Sequence, residues 1–301
     1  MSIRTFLDLA GVYSMSASTL PFILGLCYSW FNFHSLNPYL SVILFLAAAL
    51  FHMAINVLNN FSDYKNAVDK KEYREKTNII GRENLSLEKV AGVLLTMTLV
   101  SAVLGIILVI KTGLPVLLMG LFAFFIGFLY SSGPKPLESL PLGEITSGPT
   151  MGFIITLLAV YVNNYSDFSW NWNTIGGIIL IALPDTLWIS NMMLANNICD
   201  VEEDEKNNRY TLPHYLGKAA SVNLFITNNV IAFLAVVLSF FVKIAPWTML
   251  LFVFTLPLII SNIKKFYAKQ DKQKTFISSV KILNIGSLSQ AVLFLIFIIF
   301  S

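Results

Sequence analysis

Two polar clusters of the same pattern stand out in an otherwise apolar chain. Each reads Asn-Asn-x-x-Asp, once in residues 59–63 and once in residues 196–200. A further acid follows each cluster, at Asp69 and at Asp204. Asn196, Asp200 and Asp204 are spaced four residues apart, so in a helix they share one face over two turns. The same spacing aligns the amides of the first cluster with Asp63.

The chemistry of these side chains is that of a magnesium site. Carboxylate and amide oxygens are the hard ligands that Mg²⁺ prefers, and Mg²⁺ usually completes its shell with phosphate oxygens and water. The alternative is that each cluster only caps a helix at a membrane boundary, but two matching clusters favour one shared site. We therefore predict that both clusters converge around Mg²⁺ and a diphosphate. The predicted metal ligands are Asn59, Asn60, Asp63, Asp69, Asn196, Asp200 and Asp204.

Basic residues follow both clusters and could bind the outer phosphate oxygens of a diphosphate. Part of this positive charge is also expected from the general bias of cytoplasmic loops toward Lys and Arg. The predicted diphosphate contacts are Arg74, Lys76, Arg82, Lys135, Lys206 and Arg209.

The elements that must position these residues are membrane-spanning helices. Of 301 residues, 56% are hydrophobic and 12% are charged, and the mean hydropathy is +0.71, which excludes an ordinary soluble domain. The net charge of +3 gives no indication of a nucleic-acid partner. Two cysteines and three histidines show neither disulfide nor zinc spacing.

Nine apolar stretches are long enough to cross the hydrocarbon core of a bilayer. We therefore predict an all-α, polytopic protein with nine transmembrane helices. The predicted spans are Leu9–Asn32, Tyr39–Asn60, Val90–Ile110, Leu114–Tyr130, Ile145–Val162, Trp172–Ile198, Val222–Val242, Ile244–Ile263 and Ile282–Phe300.

The distribution of Lys and Arg predicts the orientation of this bundle. With the N-terminus in the cytoplasm, 18 of the 20 basic residues lie on the inner side, and Lys111 and Lys243 are the two exceptions. Both polar clusters then face the cytoplasm, in a protein expected in the cell membrane. We predict a single domain over residues 1–301, with pseudo-repeat halves of about 1–140 and 141–301 that each supply one cluster.

These motifs resemble those of the UbiA-type intramembrane aromatic prenyltransferases. Such proteins carry a first motif like Asn-Asp-x-x-Asp and a second like Asp-x-x-x-Asp, which Asp200-Val-Glu-Glu-Asp204 matches. Here Asn60 occupies the place where the first motif usually has Asp. The stretch Tyr130-Ser-Ser-Gly-Pro-Lys-Pro, followed by Pro141-Leu-Gly-Glu144, is similar to the branch that prenylates 1,4-dihydroxy-2-naphthoate in menaquinone synthesis.

The resemblance implies a Mg²⁺-dependent transfer of a polyprenyl group from an allylic diphosphate to an aromatic acceptor. Asp63, Asp200 and Asp204 would then act in catalysis, and the Tyr130 ring would face the allylic cation. For Tyr130 the alternative is an ordinary tyrosine of the membrane interface. Hydroxybenzoate or haem are alternative acceptors, and prenyl chain length and oligomeric state stay open.

Asp185 is a charged residue inside a predicted span. An intramembrane carboxylate is typical of a functional site, including the ion pathway of a transporter. The preceding Pro184 offers another explanation, because its ring frees a backbone carbonyl that a polar side chain can compensate. A transporter is therefore the rival class, although its polar residues would be expected near the midplane rather than at one membrane face.

Overall fold

The computed structural model describes residues 1–67 and 70–300, and between 70 and 73 it describes the backbone only. Long helices and several short ones are joined by short connections. They are α1 Ile3–Leu9, α2 Ser16–Phe33, α3 Pro38–Asn66, α4 Ile79–Arg82, α5 Leu87–Thr112, α6 Leu114–Ser131, α7 Gly143–Gly148, α8 Ile155–Asn164, α9 Trp172–Lys206, α10 Leu212–Leu216, α11 Lys218–Phe241, α12 Leu256–Ala268 and α13 Phe276–Phe300.

Within the described residues, eight helices are long and apolar enough to cross a membrane, and a bent pair at the N-terminus brings the number to nine. This confirms the predicted all-α, polytopic architecture. Two of the spans are composite. A π-helical segment, Pro149–Ile154, joins α7 to α8, and a 3-10 segment, Trp247–Thr255, precedes α12.

The first predicted span is not one continuous helix. It is interrupted after α1, which meets the helical segment Val12–Phe33, containing α2, at a bend of 53°. Gly11 lies at the break with φ of +59°, a left-handed conformation that favours glycine. A Cβ atom at this position would lie 2.7 Å from the side-chain nitrogen of Asn56, so the break is also a place where α3 packs closely.

Helices α3 and α9 continue beyond the C-terminal ends of the spans predicted for them, through the two polar clusters. Helix α3 continues past Asn60 to Asn66, and α9 continues past Ile198 to Lys206. Both polar clusters therefore lie on regular helix, and the expected alignment of Asn196, Asp200 and Asp204 on one face is real.

The interior is apolar in both halves of the chain. Trp188 of α9 packs against Phe252 and lies in a large buried cluster that also contains Phe225, Phe266 and Phe294. Asp185 is fully buried one turn away, and its Oδ1 accepts a hydrogen bond of 2.5 Å from Ser287 of α13. This carboxyl group thus connects two helices inside the bundle.

Candidate active site

The C-terminal ends of α3 and α9 meet at one end of the bundle. Arg209, three residues beyond α9, contacts both of them: its Nη1 lies 4.0 Å from Asp63 Oδ1, and its Nε lies 3.3 Å from Asp204 Oδ1. The two motifs, far apart in sequence, are therefore brought together at Arg209.

Backbone hydrogen bonds fix the position of Arg209. Its own N–H donates to the carbonyl of Asp204 at 2.8 Å, which closes the turn after α9. The next N–H, of Tyr210, donates to the carbonyl of Ser139 at 3.0 Å, in the connection between α6 and α7. Asn208 has φ of +58° and lets the chain reverse there. Arg209 is thus held in place by two other elements of the site.

A lysine that the sequence did not single out completes the second cluster. Lys272, in the connection between α12 and α13, donates from Nζ to Asn196 Oδ1 at 2.6 Å and also hydrogen-bonds Asp200 Oδ2. Because α13 packs beside α9, this connection lies over the face that carries the acids. Arg209 thus contacts the carboxylates of Asp63 and Asp204, and Lys272 contacts that of Asp200.

These residues line the polar end of a cavity of about 2550 Å³. The opposite end is apolar and lies between α3, α5 and α6, where the wall includes Leu44, Gly105 and Gly120. Leu44 precedes Asp63 by about five turns of α3, which is on the order of 28 Å along the helix. The cavity thus joins a charged head site to an apolar channel that extends most of the way across the bundle.

Two further acids contribute to the site from the connection between α6 and α8. Glu138 is buried, and its Oε2 accepts hydrogen bonds from Asn59 Nδ2 at 2.7 Å and from Ser131 Oγ at 3.4 Å. Glu144 is buried as well, and its Oε1 accepts from Asn197 Nδ2 at 2.9 Å. Each half of the chain therefore has one motif asparagine bonded to an acid from this connection.

Burial and the nearby negative charge of Asp63 raise the pKa of Glu138 to about 8, while Arg209 and the Ser131 hydroxyl act in the opposite direction. Glu138 was not identified from the sequence. It lies outside both motifs, and no local pattern indicates that its side chain turns inward.

Four other predicted residues line the cavity. Lys135 and Lys206 lie at its polar end, and Tyr130 lies at the end of α6. The Tyr130 hydroxyl is buried and has no hydrogen-bond partner within the described part of the chain. Asn60 also lines the cavity, but its Nδ2 donates to the carbonyls of Leu9 and Asn56, so this amide mainly secures α1 against α3.

The structure does not bring every predicted cation to the site. Arg82, at the end of α4, lies beside Asp8 at 3.9 Å and Glu83 at 3.5 Å, outside the cavity wall. The Arg74 guanidinium carbon lies 4.4 Å from the ring centroid of Tyr64, and neither residue is part of the cavity wall. Lys76 is exposed and outside the cavity wall. Asp69 lies outside the described residues.

The donor atoms at this end of the cavity have the chemistry that Mg²⁺ requires. Within residues 1–67 and 70–300, no three His, Cys, Asp or Glu side chains already lie close enough to share one ion. The oxygens present are nevertheless hard donors, from Asp63, Asp200 and Asp204. Asp204 Oδ2 is buried without a hydrogen-bond partner in the described part of the chain, an arrangement that a divalent cation would satisfy. The residues therefore fit Mg²⁺.

Comparison with known proteins defines the class of this helical bundle. The sequence model of the UbiA prenyltransferase family matches residues 18–285. The chain belongs to the UbiA prenyltransferase family, and it is a multi-pass membrane prenyltransferase.

Particular relatives are consistent with this assignment. The chain is 26% identical over 255 residues to a 1,4-dihydroxy-2-naphthoate octaprenyltransferase of Bacillus subtilis, covering 84% of this chain and 79% of that protein. It is also 26% identical over 249 residues to a protein of the same name from Haemophilus influenzae, covering 80% and 78%.

Solved structures share the fold. A UbiA homolog from Aeropyrum pernix K1 superposes with a TM-score of 0.72 at 15% identity, covering 93% of this chain and 98% of that one. A UbiA homolog from Archaeoglobus fulgidus bound to GPP and Mg²⁺ superposes with a TM-score of 0.69 at 13% identity, covering 96% and 98%.

Proposed function

We propose that this prenyltransferase moves a polyprenyl group from an allylic diphosphate to 1,4-dihydroxy-2-naphthoate, with Mg²⁺ as cofactor. The observation that carries the proposal is the convergence of Asp63 and Asp204 on Arg209 at the head of a long apolar channel. The names of the two curated relatives support the choice of acceptor.

The two ends of the cavity have different roles in this proposal: the polar end binds Mg²⁺ and the diphosphate, and the apolar end binds the prenyl chain. Asp63, Asp200 and Asp204 would hold Mg²⁺, with the oxygens of Asn59 and Asn196 beside them. When bound, Mg²⁺ neutralises the diphosphate and so favours its departure. Four cations that line the same cavity would bind the outer phosphate oxygens: Arg209, Lys272, Lys135 and Lys206. The apolar channel receives the prenyl chain and excludes water from the reacting carbon.

The proposed reaction balances without an oxidant or reductant. The bond between the prenyl C1 atom and the diphosphate oxygen breaks, and the diphosphate leaves with the electron pair. The ring carbon that bears the carboxylate of the acceptor forms a bond to C1. The electrons of the carbon–carboxylate bond then restore the aromatic ring as carbon dioxide leaves. Tyr130, at the polar end of the channel, presents an aromatic ring to the developing cation.

We further propose that the reaction takes place at the cytoplasmic face of the cell membrane. The support is the distribution of basic residues, of which 18 of 20 fall on the side that carries both motifs.

The test is a reconstitution with purified protein in detergent or vesicles. The protein is incubated with Mg²⁺, farnesyl or longer diphosphates, and one acceptor at a time. We expect diphosphate release and a prenylated, decarboxylated product with 1,4-dihydroxy-2-naphthoate. Turnover with a hydroxybenzoate or with haem, and none with the naphthoate, would overturn the proposed acceptor while leaving the reaction class intact.

A further inference from the structure

The carboxyl group of Glu138 lies against one of the proposed metal ligands without belonging to either motif. Asn59 Nδ2 donates to Glu138 Oε2 at 2.7 Å, and the same nitrogen lies 3.3 Å from Ser131 Oγ. The side-chain nitrogen and oxygen of asparagine point in different directions from the same carbon atom. When the nitrogen is held by hydrogen bonds on one side, the oxygen therefore faces the other side. The two acceptors therefore determine which way the Asn59 amide faces.

This orientation matters because only the amide oxygen is a ligand for Mg²⁺. An amide that turned around would present two N–H groups to the cation instead. We infer that Glu138 is a positioning residue: it holds the Asn59 amide with its oxygen free for the metal–diphosphate site. The inference rests on the proposed function, and it deepens the account of that site.

The second half of the chain has a related contact, at the second asparagine of its motif and next to the predicted ligand Asn196. Asn197 Nδ2 donates to Glu144 Oε1, and both side chains are buried. Glu138 and Glu144 lie six residues apart in the one connection between α6 and α8. A structural role alone gives no reason for one connection to place a buried acid against an asparagine of each motif. Outer-shell partners of this kind orient metal ligands in many proteins.

Two energetic considerations support a role beyond packing. Burying a carboxyl group is costly unless its partners satisfy it, and an apolar side chain of similar size would avoid that cost. In addition, the negative charges of Asp63 and Asp204 disfavour ionisation of Glu138, an electrostatic cost that an apolar side chain at this position would not have.

The experiment measures Mg²⁺ dependence in two ways on the full-length protein. The first readout is the Mg²⁺ concentration that gives half of the thermal stabilisation produced by inorganic diphosphate. The second is the Mg²⁺ concentration that gives half-maximal diphosphate release. For Glu138→Leu we expect both concentrations to rise about tenfold. In an Asn59→Ala background the same substitution should produce no further change, because Glu138 acts through Asn59.

Two more variants make the outcome decisive. Glu138→Gln keeps an acceptor atom and the shape of the side chain, so it should fold even if Glu138→Leu does not, and we expect a smaller rise of about threefold. Glu83→Gln, at an exposed acid outside the cavity, should match the wild type. An unchanged Mg²⁺ dependence in Glu138→Gln, or an equal shift with and without Asn59, would overturn the inference. Wild-type protein that shows no Mg²⁺-dependent response to diphosphate would instead overturn the proposed function, and this inference with it.

Discussion

Asp63 of α3 and Asp204 of α9 contact the same guanidinium group, that of Arg209. The two carboxylates come from different halves of the chain, and like charges at such proximity repel unless a cation lies between them. The site is therefore built to hold positive charge. Mg²⁺ would add to this arrangement, and Arg209 would then be available to the phosphate oxygens.

Arg209 should be among the most sensitive positions. Replacing it with Gln removes the positive charge between the two acids, and it also removes a charged hydrogen-bond donor to the departing diphosphate. We therefore expect the rate of diphosphate release to fall about 10² to 10³-fold. Arg82→Gln is the matched control, because that arginine lies outside the cavity, and it should retain nearly full activity. Equal loss in both variants would contradict the assignment. The measurement is the steady-state rate of diphosphate release.

Lys272 offers a second test, at a position that neither motif contains. We expect Lys272→Met to lower kcat/KM for the prenyl diphosphate by about 10 to 100-fold, because a charge-assisted contact to the diphosphate is lost. The control is Lys269→Met, at an exposed lysine whose Nζ lies 3.2 Å from Asp271. A wild-type kcat/KM in Lys272→Met would show that this lysine only bridges helices.

The apolar channel should determine which donors are accepted. A Cβ atom added at Gly105 or Gly120 would meet no atom within 4 Å, so both glycines border open space in the channel wall. Gly120→Leu should fill part of that space, and we expect the preference for short over long prenyl diphosphates to rise about tenfold. The preference is measured in competition between geranyl diphosphate and a longer donor. Gly92→Leu, which lies outside the cavity wall and also meets open space, should leave it unchanged.

Close packing beside the site makes one glycine important for stability. A Cβ atom at Gly152 would lie 2.5 Å from the backbone nitrogen of Thr186 in α9, and backbone cannot move aside easily. We expect Gly152→Ala to destabilise the protein by about 1–3 kcal/mol. Gly176→Ala is the control, since its Cβ atom would make ordinary contacts at 3.8 Å. Thermal unfolding in detergent would measure both, and equal midpoints would contradict the prediction.

The sequence was informative wherever local rules decide the conformation of the chain. Hydropathy located the spans, and the four-residue spacing of Asn196, Asp200 and Asp204 was sufficient to predict that they share one helix face. The bend at Gly11 was missed because the whole stretch is apolar and glycine is common in spanning helices.

Tertiary packing explains the rest. Nothing local distinguishes Arg209, which enters the site, from Arg82, which does not, because both follow a polar cluster. Lys272 and Glu138 lie in connections whose direction depends on how α13 and α7 pack against α9. Their spacing in sequence carries no periodic signal, and their roles became visible only with the hydrogen bonds of the folded chain.

The most direct measurement of the central claim compares wild type with Asp63→Ala and Asp200→Ala for Mg²⁺-dependent release of diphosphate from a prenyl diphosphate. Amounts are normalised to folded protein, and each acid comes from a different half of the chain. We expect each substitution alone to lower the rate by about 10² to 10³-fold, since both helix ends are needed to stabilise the leaving group. Wild-type rates in both variants would contradict a shared metal–diphosphate site.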